Sequence, residues 1–437
     1  MDDAALHDEV IELTRALLRV DTTNGNETEA AEVLKHRLDD AGVECTLPSR
    51  DPQRSNLVAR IPGSGDGPSL AFVGHLDVVP ADARDWTHPP FGGVLDDDGY
   101  LYGRGALDMK SEVAARTVAM LALAREGFRP RGDLVLVMVA DEEDGSADVG
   151  MKWLVEAHPE IRTDFSLNEG GGAHYRLEDG RLVAEISVGE KGTCPVLVSA
   201  LGEAGHASMP SVGRNAVPML GELLRRVGLG LPTPQRHEVV EQMLDALLGP
   251  GATADVDLPA AIEDARRLSP MLEHSLPAVC GTTMAPTKLT GSRARNVMPA
   301  RAAMELDCRV LPGTAQAEVE QAVRDRLGDG VPYELTFPEP MVAGSYSAPS
   351  GPLWDACTAW VAADSDASLL PTMCTGFTDS VYLRNAFGTV AYGFSPTRVT
   401  PAEVVEAGIH NRDERVHVDD LLLGVRFHLD VARRLLG

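Results

Sequence analysis

The sequence predicts an α/β fold, a sheet flanked by helices and interrupted by a smaller α/β domain, and three observations predict it. Short apolar runs, NLVARI from Asn56, SLAFVGH from Ser69 and LVLVMVA from Leu134, have the length of buried strands. Segments of helical periodicity lie between or after them. Polar chemistry follows directly on apolar runs, as expected where ligands gather at the carboxyl ends of strands. His75-Leu76-Asp77 follows the second run, Asp141 to Asp144 follow the third, and Glu169 follows DFSLN from Asp164. One carboxylate after a strand is commonplace as a helix cap; three successive strand ends call for another reason.

In chain order, residues 4–20 read as an amphipathic helix with Ile11, Leu13, Leu17 and Leu18 on one face, and residues 28–38 as a second helix after the polar turn DTTNGNET. A further helix over 111–126 separates the second and third strands. The style changes near Lys191. CPVLVSALGEAGHAS opens a new strand and loop, and VPMLGELLRRVGL from Val217 is a helix. A stretch near 231–275, rich in Pro, Gly and mixed charge, reads as an insertion with short helical pieces. TKLTG, ARNVMPARAAMELDCRVLPG and a helix over 317–327 complete a strand–strand–helix pattern. The expected division is 1–191 and 346–437 as one split domain around a smaller domain over 192–345, in keeping with a chain of 437 residues.

Charge narrows the function classes. Lys plus Arg is 39 against 66 Asp plus Glu, a net charge of −27, which argues against nucleic-acid and membrane-surface roles. No apolar run reaches the length of a membrane span, and the acidic start MDDAALHDEV does not resemble a secretory signal. The six cysteines are scattered without CxxC spacing, which excludes a zinc ribbon and suggests free thiols in a cytoplasmic protein.

The strand-end residues make a metal-ligand set. His75-x-Asp77 alone is weak, and Asp108 in GRGALDMK alone reads as a helix cap. Glu142 and Glu143 are different, because adjacent carboxylates at a buried strand end repel unless a cation neutralises them. One then binds metal while the other serves as general base. With Glu169 and His410 (in GIHNRDERV), the donors suit two divalent ions bridged by one carboxylate. Imidazole and carboxylate without thiolate favour zinc, with cobalt or manganese as alternatives. His88, His158 and His174 lack a strand-end carboxylate partner, Trp86 and Phe91 read as loop packing, and Asp96 to Asp98 read as a turn.

The runs GHLDVVPADARDWTHPPF…LYGRGALDMK, ADEEDGS, NEGGG, EKG, GHAS, RNVMPA and the late His410 resemble the family of acetylornithine deacetylase, succinyl-diaminopimelate desuccinylase, aminoacylase and glutamate carboxypeptidase. The resemblance spans most of the chain in order. It implies a zinc-peptidase-type mixed sheet interrupted by a lid that carries a homodimer contact. It also implies two zinc ions: His75 on one, His410 on the other, Asp108 bridging, and Glu143 and Glu169 each on one ion. Asp77 would orient His75, and Glu142 would carry a proton from the attacking water to the leaving amine. A cis peptide is implied at Asp108–Met109. His206 would stabilise the oxyanion across the dimer, and Asn296 and Arg309 would hold a substrate carboxylate; Arg309 also reads as a plain strand ion pair. The family's GGTD loop stands here as Gly376-Phe377-Thr378-Asp379, so Gly376 and Thr378 are substrate-contact candidates beside a bulky Phe377. The lid is long, with about 90 residues between His206 and Asn296. The expected activity is deacylation of a small N-acyl amino acid with a free carboxylate. Dipeptidase or carboxypeptidase action is the alternative, and a non-catalytic binding protein the remote one.

Overall fold

A computed structural model of the chain describes residues 2–254 and 257–437. They form two units, one made of 2–189, 347–372 and 378–437, the other of 190–254, 257–346 and 373–377.

In the first unit, helices α1 (Asp3–Leu18), α2 (Glu27–Asp40) and α3 (Lys110–Arg125), strands β1 (Leu57–Ile61), β2 (Leu70–His75), β3 (Leu134–Val139), β4 (Phe165–Asn168) and β5 (Val390–Gly393), and helices α4 (Ser380–Phe387) and α5 (Val418–Leu436) position the site. The strands lie in the order β1-β3-β2-β4-β5. β1 runs antiparallel to β3, while β3, β2, β4 and β5 are mutually parallel, so the sheet is mixed. The carboxyl ends of β2, β3 and β4 therefore emerge side by side at one edge.

Both faces of this sheet are covered, which is why β2 and β3 are apolar at nearly every position rather than alternating. Phe72 turns to one face, edge-on to His428 of α5, where α1, α3 and α5 pack together. Ala71, Val73, Val135, Val137 and Val139 turn to the other face, against Met151, Leu154, Ile161 and Leu383 of α4. The predicted helix over 111–126 is α3, shifted by one residue, and it is almost wholly buried.

The second unit packs a five-stranded antiparallel sheet against the helices Ala216–Val227 and Gln316–Leu327. Its longest strand, Arg301–Val310, alternates buried and half-exposed residues as a one-face-covered sheet requires. The stretch predicted as short helical pieces holds three helices, Glu238–Leu248, Leu258–Arg266 and Pro270–Val279. Ser269 and His237 cap the third and first of these, and prolines stand in the first turn of the second and third. No helix among the described residues is long and apolar enough to cross a membrane.

Candidate metal centre

His75 is the last residue of β2 and is 1% exposed. Its Nε2 lies 2.9 Å from Asp108 Oδ1 and 3.5 Å from Glu169 Oε2. The other Asp108 oxygen, Oδ2, lies 3.1 Å from His410 Nε2, which is 3.0 Å from Glu143 Oε2. Two donors bound at 2.0–2.1 Å to one tetrahedral ion stand roughly 3.3 Å apart, so these separations fit donors that share an ion. Each oxygen of Asp108 faces a different imidazole, which is the arrangement a bridging carboxylate needs. Glu142 joins His75 and Glu169 in a second set of donor atoms that lie within 4.8 Å of one another.

Local folding explains the convergence. Glu169 follows β4, and Gly393 of β5 lies so close that a Cβ there would stand 1.8 Å from the Glu169 carbonyl oxygen. Asp108 sits on a tight turn that starts α3, in which Gly105 takes φ +90° and the Asp108–Met109 peptide is cis. Lys110, fully buried, donates to the carbonyls of Leu17 and Val20 and moors that turn to the end of α1. His410 has the left-handed φ of 59° just beyond the helix Ala402–Gly408.

Asp77 differs from expectation. The His75 ring is held by the Asp77 carbonyl, 3.0 Å from Nδ1, whereas the carboxylate stands 3.7 Å away. That carboxylate instead accepts the backbone N–H groups of Glu142 and Glu143, because the chain leaving β3 turns its amides toward it. Asp77 thus positions the adjacent glutamates through its side chain and His75 through its backbone.

The electrostatics express an excess of anions. Burial pushes the Glu142 carboxyl well above its ordinary range, and the Glu169 charge adds to this. Glu169 is raised by burial although His75 opposes it. Burial would lower His75, yet Glu169 and Asp108 outweigh it and hold the imidazole well above its usual value. Hydrogen bonds to Asp108 and Glu143 raise His410 to about 10. Asp108 is held well below the carboxylate range because His410 and His75 outweigh its burial. The imidazoles here balance carboxylates, a task that divalent cations perform with more charge and the same donors. The donor chemistry therefore fits a metal pair.

Several neighbours escape a reading of the sequence alone. Asp379, 4% exposed at the start of α4, is raised by burial and by the charge of Glu169. Arg116 of α3 is buried, donating to Glu112 Oε2 at 2.8 Å and to the Asn168 carbonyl at 2.9 Å. Glu414, fully buried, accepts from Arg104 and from three backbone amides of the Asp108 turn. Trp86 does more than pack its loop: it lines a cleft of about 490 Å³ with Arg104, His410 and Arg412, its ring 5.1 Å from the Arg104 guanidinium.

Of the remaining candidates, Thr378 is buried and caps the Ser380 amide. In the second unit, His206 and Asn296 lie together, the Asn296 carbonyl accepting from Ala207 and the His206 Nδ1 from Ser208. Arg309 stands apart from them on its strand, its Nε 2.7 Å from Asp307 Oδ1, so its fork is already engaged. Gly376 has only the Cys374 sulfur near its missing Cβ. His88 lies tilted against Tyr102, His158 faces Glu160 and His174 hydrogen-bonds the Gly172 carbonyl, and none belongs to either donor set.

Two overlapping donor sets at the strand ends of an α/β sheet fit a metal-dependent hydrolase. The chain belongs to peptidase family M20/M25/M40, whose model matches residues 71–434. It is 29% identical over 423 residues to the succinyl-diaminopimelate desuccinylase of Rhodospirillum centenum, covering 94% of this chain and 93% of that one. It is 29% identical over 436 residues to aminoacylase-1 of Mus musculus, covering 97% and 95%. Its fold is similar to that of the M20 family metallo-carboxypeptidase Sso-CP2 from Sulfolobus solfataricus, with a TM-score of 0.71, 18% identity, and 98% and 99% coverage. Human carnosine dipeptidase 1 shares the fold at a TM-score of 0.65 and 15% identity over 99% and 98% of the two chains.

Proposed function

We propose that the protein hydrolyses the amide bond of a small N-acyl amino acid with a free carboxylate. The observation that carries this reading is Asp108 standing between two imidazoles with Glu142 beside His75 and Glu169. The substrate class is supported by the desuccinylase and aminoacylase that cover nearly the whole chain.

His75, Asp108, Glu143, Glu169 and His410 would hold two divalent ions, zinc for preference and cobalt or manganese by the same donor chemistry. Bound there, the ions supply Lewis acidity toward the scissile carbonyl and acidify water. Glu142 takes the proton of the attacking water and returns it to the leaving nitrogen, a task its place beside His75 and Glu169 suits. Asp77 holds the Glu142 and Glu143 amides so that the two carboxylates diverge. We assign oxyanion stabilisation to His206 and the substrate carboxylate to Asn296 and Arg309, whose guanidinium exchanges Asp307 for the ligand. Gly376 and Thr378 are assigned to the acyl group.

A homodimer through the second unit is supported by its outer strand Thr283–Thr290, where Leu289 is 61% exposed, and by Val217, 46% exposed. A cytoplasmic setting is supported by the free state of all six cysteines. No nucleic-acid or membrane partner is assigned, in keeping with the charge of −27.

The deciding experiment is a hydrolysis screen of the zinc-loaded protein against N-acetyl and N-succinyl amino acids and dipeptides. Turnover of N-acyl amino acids, abolished by a chelator and restored by zinc or cobalt, supports the proposal. Preferential turnover of dipeptides moves the assignment to peptidase action, which the dipeptidase and carboxypeptidase likenesses favour. No turnover of any of the three leaves a binding protein on a hydrolase fold.

A further inference from the structure

In the turn that carries Asp108, three backbone amides are satisfied by one side chain from a distant part of the sequence. Glu414 Oε2 accepts from Arg104 Nη1 at 2.6 Å and from the Gly105 amide at 3.1 Å. Its Oε1 accepts from the Leu107 amide at 2.7 Å and from the amide of Asp108 itself at 3.0 Å. Both oxygens face only donors, so the group acts as a carboxylate, and it is 0% exposed. Glu414 also stands four residues after His410, and the Gly103 amide donates to its backbone carbonyl at 3.0 Å. One residue therefore ties the loop bearing one imidazole to the turn bearing the carboxylate between the imidazoles.

We propose that Glu414 is a positioning residue of the centre, fixing the Asp108 turn to the His410 loop so that Asp108 can serve two ions at once. The proposal rests on the dinuclear reading given above. A surface ion pair would not need three backbone amides, and burying a carboxylate with four donors is costly unless its geometry is used. Without Glu414 the amides of Gly105, Leu107 and Asp108 lose their acceptor, Arg104 is left as a buried unpaired cation, and the turn is free to rotate Asp108 away from His410. An ion at His75 would keep Glu169 and an imidazole held at a strand end; one at His410 would keep Glu143 but lose both the bridge and the anchor of its own loop.

The test uses the full chain, stripped of metal and titrated with Mn²⁺ alone, following heat of binding and the electron paramagnetic resonance of the bound ions. Wild-type protein is expected to take two ions with a spin-coupled signal. Glu414→Gln is expected to keep one ion, to bind the second about 10- to 100-fold more weakly and to lose the coupled signal. Arg104→Gln, which leaves three donors on Glu414, shifts the second ion in the same direction by less. Leu154→Ala, which opens a cavity under the sheet away from the turn, lowers stability without changing the metal ratio. Glu414→Gln binding both ions with wild-type affinity and coupling overturns the proposal, as does equal loss of the second ion in Leu154→Ala. If Glu414→Gln does not fold, the Arg104→Gln titration decides by the same criteria. Wild-type protein that takes fewer than two ions overturns the dinuclear reading itself.

Discussion

Glu142 and Glu143 are neighbours in the chain, and the backbone after β3 sends them to different partners. Glu143 meets His410, while Glu142 lies with His75 and Glu169. Replacing Glu142 with Gln is expected to leave both ions bound and to lower kcat by about 10²- to 10⁴-fold, measured by metal analysis alongside initial rates. Full activity in that variant would remove Glu142 from its role. Lys191, in the second unit, is the other residue with a measurable consequence. Its Nζ donates to the carbonyls of Ala278 and Gly281, and burial, then the Arg309 charge, lower it to about 7. The unfolded chain holds that proton up to about pH 10.4, so it binds more protons than the folded protein between pH 7 and 10.4, and stability rises with pH there. The neighbouring Cys280 and Cys308, pushed up to about 12 by burial, lose their protons in that window only in the unfolded chain, an opposing contribution that wild type and a Lys191 variant share. Urea unfolding of wild type against Lys191→Met should show this contribution, at most about 1.4 kcal/mol per pH unit, only in the wild type. Strand-end donors such as His75 and Glu169 are legible in sequence because each follows an apolar run. Glu414 and Arg116 are not, because their meaning lies in partners hundreds or tens of residues away.

At the scale of elements, the parallel run β3-β2-β4-β5 places three chemistry-bearing strand ends at one edge. The fold class is legible because β2 and β3 are apolar at nearly every position, a composition that cover on both faces requires. Less legible is the pairing of β5 with β4, since residue 390 carries no sign that it lies beside residue 165. The close approach of Gly393 to Glu169 belongs to that pairing. Gly393→Ala is expected to push the two strands apart, costing about 1–3 kcal/mol or more and displacing Glu169. Denaturation midpoints and metal content measure the two effects. Retention of wild-type stability and two ions would show that the contact relaxes freely. The three helices of 238–279 are longer than the broken composition of that stretch suggests, because Pro at a first turn starts a helix rather than ending one.

At the scale of the whole molecule, the charge of −27 is mostly surface, but Asp108, Glu142, Glu143 and Glu169 are anions gathered at one place that could hold cations. The second unit's outer strand leads to a prediction about assembly. Light scattering of the wild-type protein should give twice the chain mass, and Leu289→Glu should shift it toward the single chain, because the charge replaces an exposed apolar side chain on an edge strand. A wild-type monomer at micromolar concentration would remove the dimer.

The parallel partners β4 and β5 stand on either side of the inserted unit. During synthesis, the about 220 residues between Asn168 and Val390 occupy a ribosome for roughly 11–44 s at ordinary elongation rates. Throughout that interval β4 has an open edge, and α5, which covers the same face as α1 and α3, has not yet been synthesised. The nascent first unit therefore waits, half-built and adhesive, while the inserted unit is free to fold ahead of it. Holdase demand should track the length of the insertion rather than the size of the catalytic unit.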